Sequence, residues 1–222
     1  MDQVASVPLS ADESSAIAAL VARVEAHTGV QVVVAAIEKA DSYVELPWKA
    51  FALGASVAAF ATAFSDFWWP QWVASEAAVF HATVILGVAA ACALVAVFVP
   101  RFGRLFLREA RSHLEVKQYA QALFLTRELF RTENRDAVLI LVSEFERRIE
   151  ILPDVGLHQR VTEADWRHVI DAMAVHLREA RRTHALEEGL RTVEQLLLSK
   201  GFQRRAHPHN ELPDRPIEER GV

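Results

Sequence analysis

DAVLILVSEFERRIEILP, residues 136–153, holds the two segments that decide the fold. Residues 136–143, DAVLILVS, are short, aliphatic and apolar almost without a break, as a strand covered on both faces is. Residues 144–146 predict a turn. Residues 148–152 return, with Ile149 and Ile151 alternating against Glu150, so the pair reads as a β-hairpin with one face buried, ended by Pro153. Neighbouring strand positions point to opposite faces. One of Arg147 and Arg148 is therefore expected to face inward, paired with a carboxylate such as Glu144 or Glu150, or else to contact an anion or a partner.

Working outward, one other segment has the same character. Residues 30–37, VQVVVAAI, follow a helix that opens on the capping box Ser10 and Glu13, carries Ile17, Leu20, Val21 and Val24 at helical spacing, and stops at Gly29. No second strand lies in that N-terminal stretch. A lone strand would leave its backbone N–H and C=O groups unpaired. Residues 136–143 are the partner it needs, and everything between the two becomes a crossover.

That crossover contains a gap of unusual composition. Between Lys49 and Arg101 there is no Lys or Arg, and two apolar runs, 50–69 and 77–99, lie inside it. Each is about 20 residues or longer and spans roughly 30 Å as a helix, the thickness of a bilayer's hydrocarbon core. The pair predicts a transmembrane helical hairpin, with Pro47 opening its first helix. Lys39 and Lys49 precede the hairpin and Arg101, Arg104, Arg108 and Arg111 follow it, while the intervening turn carries acids. The positive-inside rule then places both flanking segments in the cytoplasm at the inner membrane. Trp68, Trp69 and Trp72 are expected at the outer interface and Trp48 at the inner one, and the four arginines at anionic headgroups. Residues 1–15 are acidic and polar, without the pattern of a secretory leader. Ala50, Gly54 and Ala58, and Gly87 and Ala91, recur every four residues. Such spacing lets backbones approach closely in lipid, either between the hairpin's own helices or onto a larger membrane complex; whether the chain forms a homo-oligomer is left open.

The remaining chain is expected to be soluble and helical. Residues 101–111 predict a basic juxtamembrane helix that resumes over 114–131. Thr162 and Asp165 predict a helix start, with Trp166, Ile170, Met173, Ala174 and Leu177 inward. A last helix, 184–200, ends at Gly201, and residues 204–222 read as a disordered tail. The organisation is thus residues 1–47, the hairpin within 48–100, residues 101–203, and the tail. The net charge of −5 argues against a general nucleic-acid binder, and the single Cys92 excludes an internal disulfide framework.

This order of elements resembles the TPM-domain family, also described as the TPM phosphatase group. The residues 134–157, NRDAVLILVSEFERRIEILPDVGL, carry most of the likeness, joined by 30–43 and by Trp166 with the helix after it. The subgroup it looks most like is bacterial and has two membrane spans inserted in the domain. The resemblance implies an α/β (α+β) domain with a small mixed sheet flanked by helices. It also implies thylakoid and bacterial membrane relatives, one function being photosystem II repair. Two departures stand out. Ala137 replaces a frequent glycine, and residues 131–136, RTENRD, replace a Gly-rich stretch in which some relatives gather acidic groups.

The carboxylates that could carry chemistry are Glu38 and Asp41 (with Glu45) after the first strand, and Asp136 and Asp154 flanking the hairpin. Carboxylates clustered at strand ends can hold calcium or another hard divalent cation, and a pair such as Asp41 and Asp154 can act as acid and base. The histidines lack zincin spacing, and no phosphate loop, dinucleotide fingerprint, nucleophile elbow or Cys-x-x-Cys is present, so no organic cofactor is expected. The function expected is a membrane-anchored factor for the interaction, assembly or maintenance of a membrane protein complex. The alternative is a membrane-bound phosphatase-like hydrolase with an acidic, metal-holding site.

Overall fold

A computed structural model describes residues 9–68, 74–179, 181–203 and 211–221, with only the backbone of 74–77 and of Arg220. The chain divides into two compact units. One takes the residues up to Asp41 and those from Ala110 onward; the other is Ser42–Glu109.

The first unit is a four-stranded mixed sheet between helices. Its strands are β1 (Gln31–Lys39), β2 (Ala137–Ser143), β3 (Arg148–Pro153) and β4 (Ile217–Gly221), in the spatial order β3-β2-β1-β4. β1 runs parallel to β2, Gln31 opposite Ala137 through Ile37 opposite Ser143. β2 and β3 form the antiparallel hairpin. The two strands expected to need each other are therefore joined, across the long crossover. Alternation sends Val32, Val34, Val138, Ile140, Val142, Ile149 and Ile151 to one face. There they meet three helices, α1 (Ala11–Thr28), α6 (Glu163–Arg178) and α7 (Arg182–Ser199), through side chains such as Ile17, Val21, Trp166, Met173, Leu186 and Leu190. Val33, Ala35, Ile37, Leu139 and Leu141 go to the other face and meet Val116, Ala120, Leu123 and Phe124 of α5 (Glu109–Thr126). Burial on both faces explains why β1 and β2 read as unbroken apolar runs.

The helix ends follow their sequence signals. Ser10 accepts the Glu13 N–H while the Glu13 carboxylate accepts the Ser10 N–H, and Thr162 and Asp165 repeat the device at α6. Gly29, at φ 72°, closes α1 in the left-handed region.

The second unit contains α2 (Glu45–Trp68), α3 (Ala74–Phe98) and the short α4 (Pro100–Gly103). α2 and the stretch Ala78–Phe98 of α3 are long and apolar enough to cross a membrane. They pack on each other along small residues. Ala50, Gly54 and Ala58 of α2 are buried, as are Ala89 and Ala96 of α3. A Cβ built on Gly54 would lie 2.9 Å from the Cys92 Sγ and 3.1 Å from the Ala89 Cα, so the backbones meet there. Gly87 and Ala91 lie on the exposed side of α3, and a Cβ on Gly87 would touch nothing within 4 Å.

Three expectations are corrected. The basic segment 101–111 is not one helix. After α4 and a 3-10 turn at Arg104–Phe106, Leu107 is extended (φ −79°, ψ 124°) and α5 starts at Glu109. The opened turn is held from outside, since the Lys49 ammonium donates to the Phe106 carbonyl at 3.2 Å. Arg147 is not a strand residue; it sits in the turn at φ 51°, the left-handed position that lets β3 turn back with Arg148 opposite Ser143. Arg148 donates from Nε to the Ser112 Oγ at 2.6 Å and its charge acts on Glu150, while Glu144 pairs with Arg182. The tail does not stay irregular throughout: residues 217–221 pair with β1 as β4, because an edge strand needs few apolar side chains.

Candidate functional site

The carboxylates singled out in the sequence fall at opposite ends of the sheet. Asp136 and Asp154 lie at the start of β2, where the Asp154 N–H donates to the Ala137 carbonyl at 2.8 Å. Glu38 and Asp41 lie at the far end of β1. From Gln31 to Lys39 the strand rises about 25 Å, so Asp41 and Asp154 share neither an ion nor a substrate.

Asp154 is almost fully buried and its oxygens are spoken for. Arg135 donates to both, Nε at 2.8 Å and a terminal nitrogen at 2.9 Å, and the Val155 N–H donates to Oδ1 at 2.8 Å. The fork of Arg135 is offered from a left-handed residue, φ 53°. The contact raises the guanidinium's already high pKa, the bond to Asp154 being the main cause. Asp154 thus ties Arg135, on the approach to β2, to the turn after β3. Gly156 completes the tie. A Cβ there would come within 2.5 Å of the carbonyl oxygens of Asn134 and Arg135, so only glycine lets these segments close.

Beside this junction is a recess of about 360 Å³, lined by Asp136, Asn134, Gln159, Arg160, Gln203 and Thr28 among others. Asp136 is buried, with its N–H on the Thr132 hydroxyl at 3.2 Å. Asp136 is the one acid among those lining residues, fewer carboxylates than a hard cation takes. Among the described residues no three His, Cys, Asp or Glu side chains gather in metal-binding proximity.

At the opposite end, Asp41 accepts from Arg111 at 2.9 Å, and Arg111 also reaches Glu115 at 3.4 Å. Arg111, expected at lipid headgroups, is thus engaged with carboxylates of its own unit. Nearby, buried Glu146 accepts the Ala40 N–H at 3.0 Å and the Ser143 hydroxyl, and the Glu38 carbonyl accepts the Phe145 N–H at 2.9 Å. These bonds fix the β2–β3 turn against the end of β1.

The interface residues of the hairpin divide. Trp48 and Trp68 are well exposed, Arg101 and Arg108 are exposed, and Arg104 is half-buried. Trp69 and Trp72 lie outside the described residues. His81 and Asp66, on the two long helices, pair at 3.3 Å.

Sequence reasoning missed a polar set along the outer edge of β1. Glu25, buried on α1, accepts the Val32 N–H at 2.8 Å, and its pKa is pushed up to about 7, first by burial and then by the charge of Asp214. The Gln31 side-chain oxygen accepts the N–H groups of Glu211 and Leu212 at 2.9 and 3.1 Å. Glu219 accepts the Tyr119 hydroxyl and the Arg127 guanidinium, both at 2.7 Å. That contact lowers the pKa of Glu219, while burial and the same bond raise that of Tyr119. No local pattern announces these residues, because Glu25, Tyr119, Arg127 and Glu219 look like solvated helix or tail positions, and Gln31 like the polar start of a strand, until β4 is in place.

A mixed α/β sheet with two apolar helices inserted in its central crossover defines the class. The TPM domain family's profile matches residues 90–196 of the chain. A solved structure with a similar fold is the NMR structure of the BA42 protein from the psychrophilic bacterium Bizionia argentinensis. It aligns with a TM-score of 0.58 at 13% identity, over 97% of this chain and 98% of that one. No curated protein matches the chain.

Proposed function

We propose that this chain is a two-span TPM-domain protein of the inner membrane, both flanking segments cytoplasmic, that binds a membrane protein complex as an assembly or maintenance factor. The observation that carries this reading is the place of the apolar pair. Two long helices interrupt the connection between β1 and β2, and their outward faces show Leu53, Phe60, Phe67, Leu86, Val97 and Phe98. Apolar area of that extent on a stable helix pair fits lipid as its solvent. The domain is then held at the membrane surface, where Arg101, Arg104 and Arg108 would meet anionic headgroups. A hydrolase would need its acidic groups gathered, and Asp41 and Asp154 are separated by the length of the sheet.

The test is purification from membranes in mild detergent. The chain is expected to resist carbonate extraction and to bring down a membrane protein in stoichiometric amount. Release by carbonate removes the membrane reading, and recovery of the chain alone or as a self-dimer removes the factor reading.

A further inference from the structure

Resting on that partner-binding reading, we propose that the outer edge of β1 is a strand-accepting surface for an acidic, extended segment of a partner protein, and that β4 plugs it in the resting chain. β4 lies parallel to β1, Ala35 opposite Ile217 through Lys39 opposite Gly221. Its sequence, IEERG, offers the core a single apolar side chain, Ile217. What holds it otherwise is carboxylate recognition by groups of the domain. The Leu9 N–H donates to Glu218 at 2.9 Å. Tyr119 and Arg127 donate to Glu219, on the other face of the strand. The Glu133 N–H donates to Glu211 at 2.9 Å. Gln31 reads the backbone N–H groups of Glu211 and Leu212, which any extended segment supplies.

The edge therefore selects a chemistry: a strand parallel to β1, apolar at one position and acidic at the next two. Strand addition of this kind takes its affinity from main-chain bonds and its specificity from alternate side chains. An uncovered edge beside so apolar a strand would be open to indiscriminate pairing, and a tethered, charged plug prevents that. Being in the same chain, the plug competes at an effective concentration that only a better-fitting segment overcomes.

β4 leaves room for such a segment. Its pairing with β1 begins only at Ala35, and Pro213 and Pro216 just before it have no N–H to donate to a ladder. A second copy's tail carries the same prolines and gains nothing by exchange. A partner that stays extended there gains main-chain bonds.

The experiment uses the full chain in detergent micelles and a fluorescent peptide of residues 211–221 with Thr at the Pro213 and Pro216 positions. Glu219→Lys loosens the plug, and this chain is expected to bind the peptide at least tenfold more tightly than the unaltered chain. Adding Arg127→Ala should weaken that binding about tenfold, and a peptide with Lys at the Glu219 position should not bind. Ile217→Ser loosens the plug by another route and serves if Glu219→Lys does not fold, as judged by its circular dichroism. Equal binding by the loosened and unaltered chains, or binding indifferent to Arg127, overturns the proposal. A dimer in place of a peptide complex overturns it by assigning the edge to a second copy. Because the peptide assay involves no membrane complex, a failed purification alongside peptide binding would sink the factor reading alone.

Discussion

Glu25 is the residue whose chemistry departs furthest from its appearance. On α1 it reads as one more charged helix position, yet it is buried and accepts the Val32 N–H at a point of β1 that β4 does not cover. Burial, helped by Asp214, raises its folded pKa to about 7 from an ordinary 4.5. The folded state then binds a proton that the unfolded state has released. Its contribution to stability is whole below pH 4.5, declines as pH rises, and is gone above about 7. Between pH 5 and 8 this group should cost about 1–3 kcal/mol of stability. Glu25→Gln keeps an acceptor for Val32 and has no proton to lose. The variant is expected to equal the parent near pH 4.5 and to exceed it at pH 8. Parallel denaturant melts at the two pH values measure the difference. A constant gap between the two proteins would show that Glu25 does not titrate in this range. Comparison with the variant matters because Glu13, Glu194 and Glu219, with lowered pKa values, push stability the opposite way.

Among elements, the pair α2 and α3 makes the sharpest contrast. Both carry small residues four apart, but only one set faces its neighbour. Gly54 touches Cys92 and Ala89, whereas Gly87 faces open space. Gly54→Ile should therefore force the helices apart, a change of about 1–3 kcal/mol as for other overpacked contacts, while Gly87→Ile should be close to neutral. Thermal melting of the two variants in detergent decides this, and equal losses would contradict the packing face. The spacing of small residues could not distinguish the two sets, since period four marks a stripe without saying which way it points. β1, β2 and β3 were legible for the opposite reason: a strand buried on both faces, and a return strand that alternates, leave an unambiguous trace in residue type. β4 left none. IEERG is charged, and the packing of its one half-buried apolar side chain and its three-way carboxylate contacts exist only once residues far apart in the chain are assembled. The recess beside Asp136 was half legible. Its one carboxylate was visible, as was Asp154 at the junction beside it, but Arg135, which occupies Asp154, became relevant only through its left-handed backbone.

At the scale of the whole molecule, the parallel pairing of β1 with β2 constrains the membrane topology without any appeal to charge. Both strands belong to one sheet, and the α2 and α3 segments lie between them in the chain. If those helices cross a bilayer, they must cross it and come back, so that residues on either side of the hairpin end on the same face. The count of basic residues says which face; the sheet says only that it is shared. In a Cys92→Ser background, Asp12→Cys and Arg191→Cys report the two flanks, both from exposed positions. Gln71→Cys reports the connection between the apolar helices. In sealed vesicles of one orientation, a membrane-impermeant maleimide is expected to treat residues 12 and 191 alike and residue 71 oppositely, and detergent should make all three equal. Labelling of 12 and 191 from opposite sides would mean that β1 and β2 cannot pair in the membrane-bound chain. Labelling of all three from one side would leave the sheet intact and remove the two crossings.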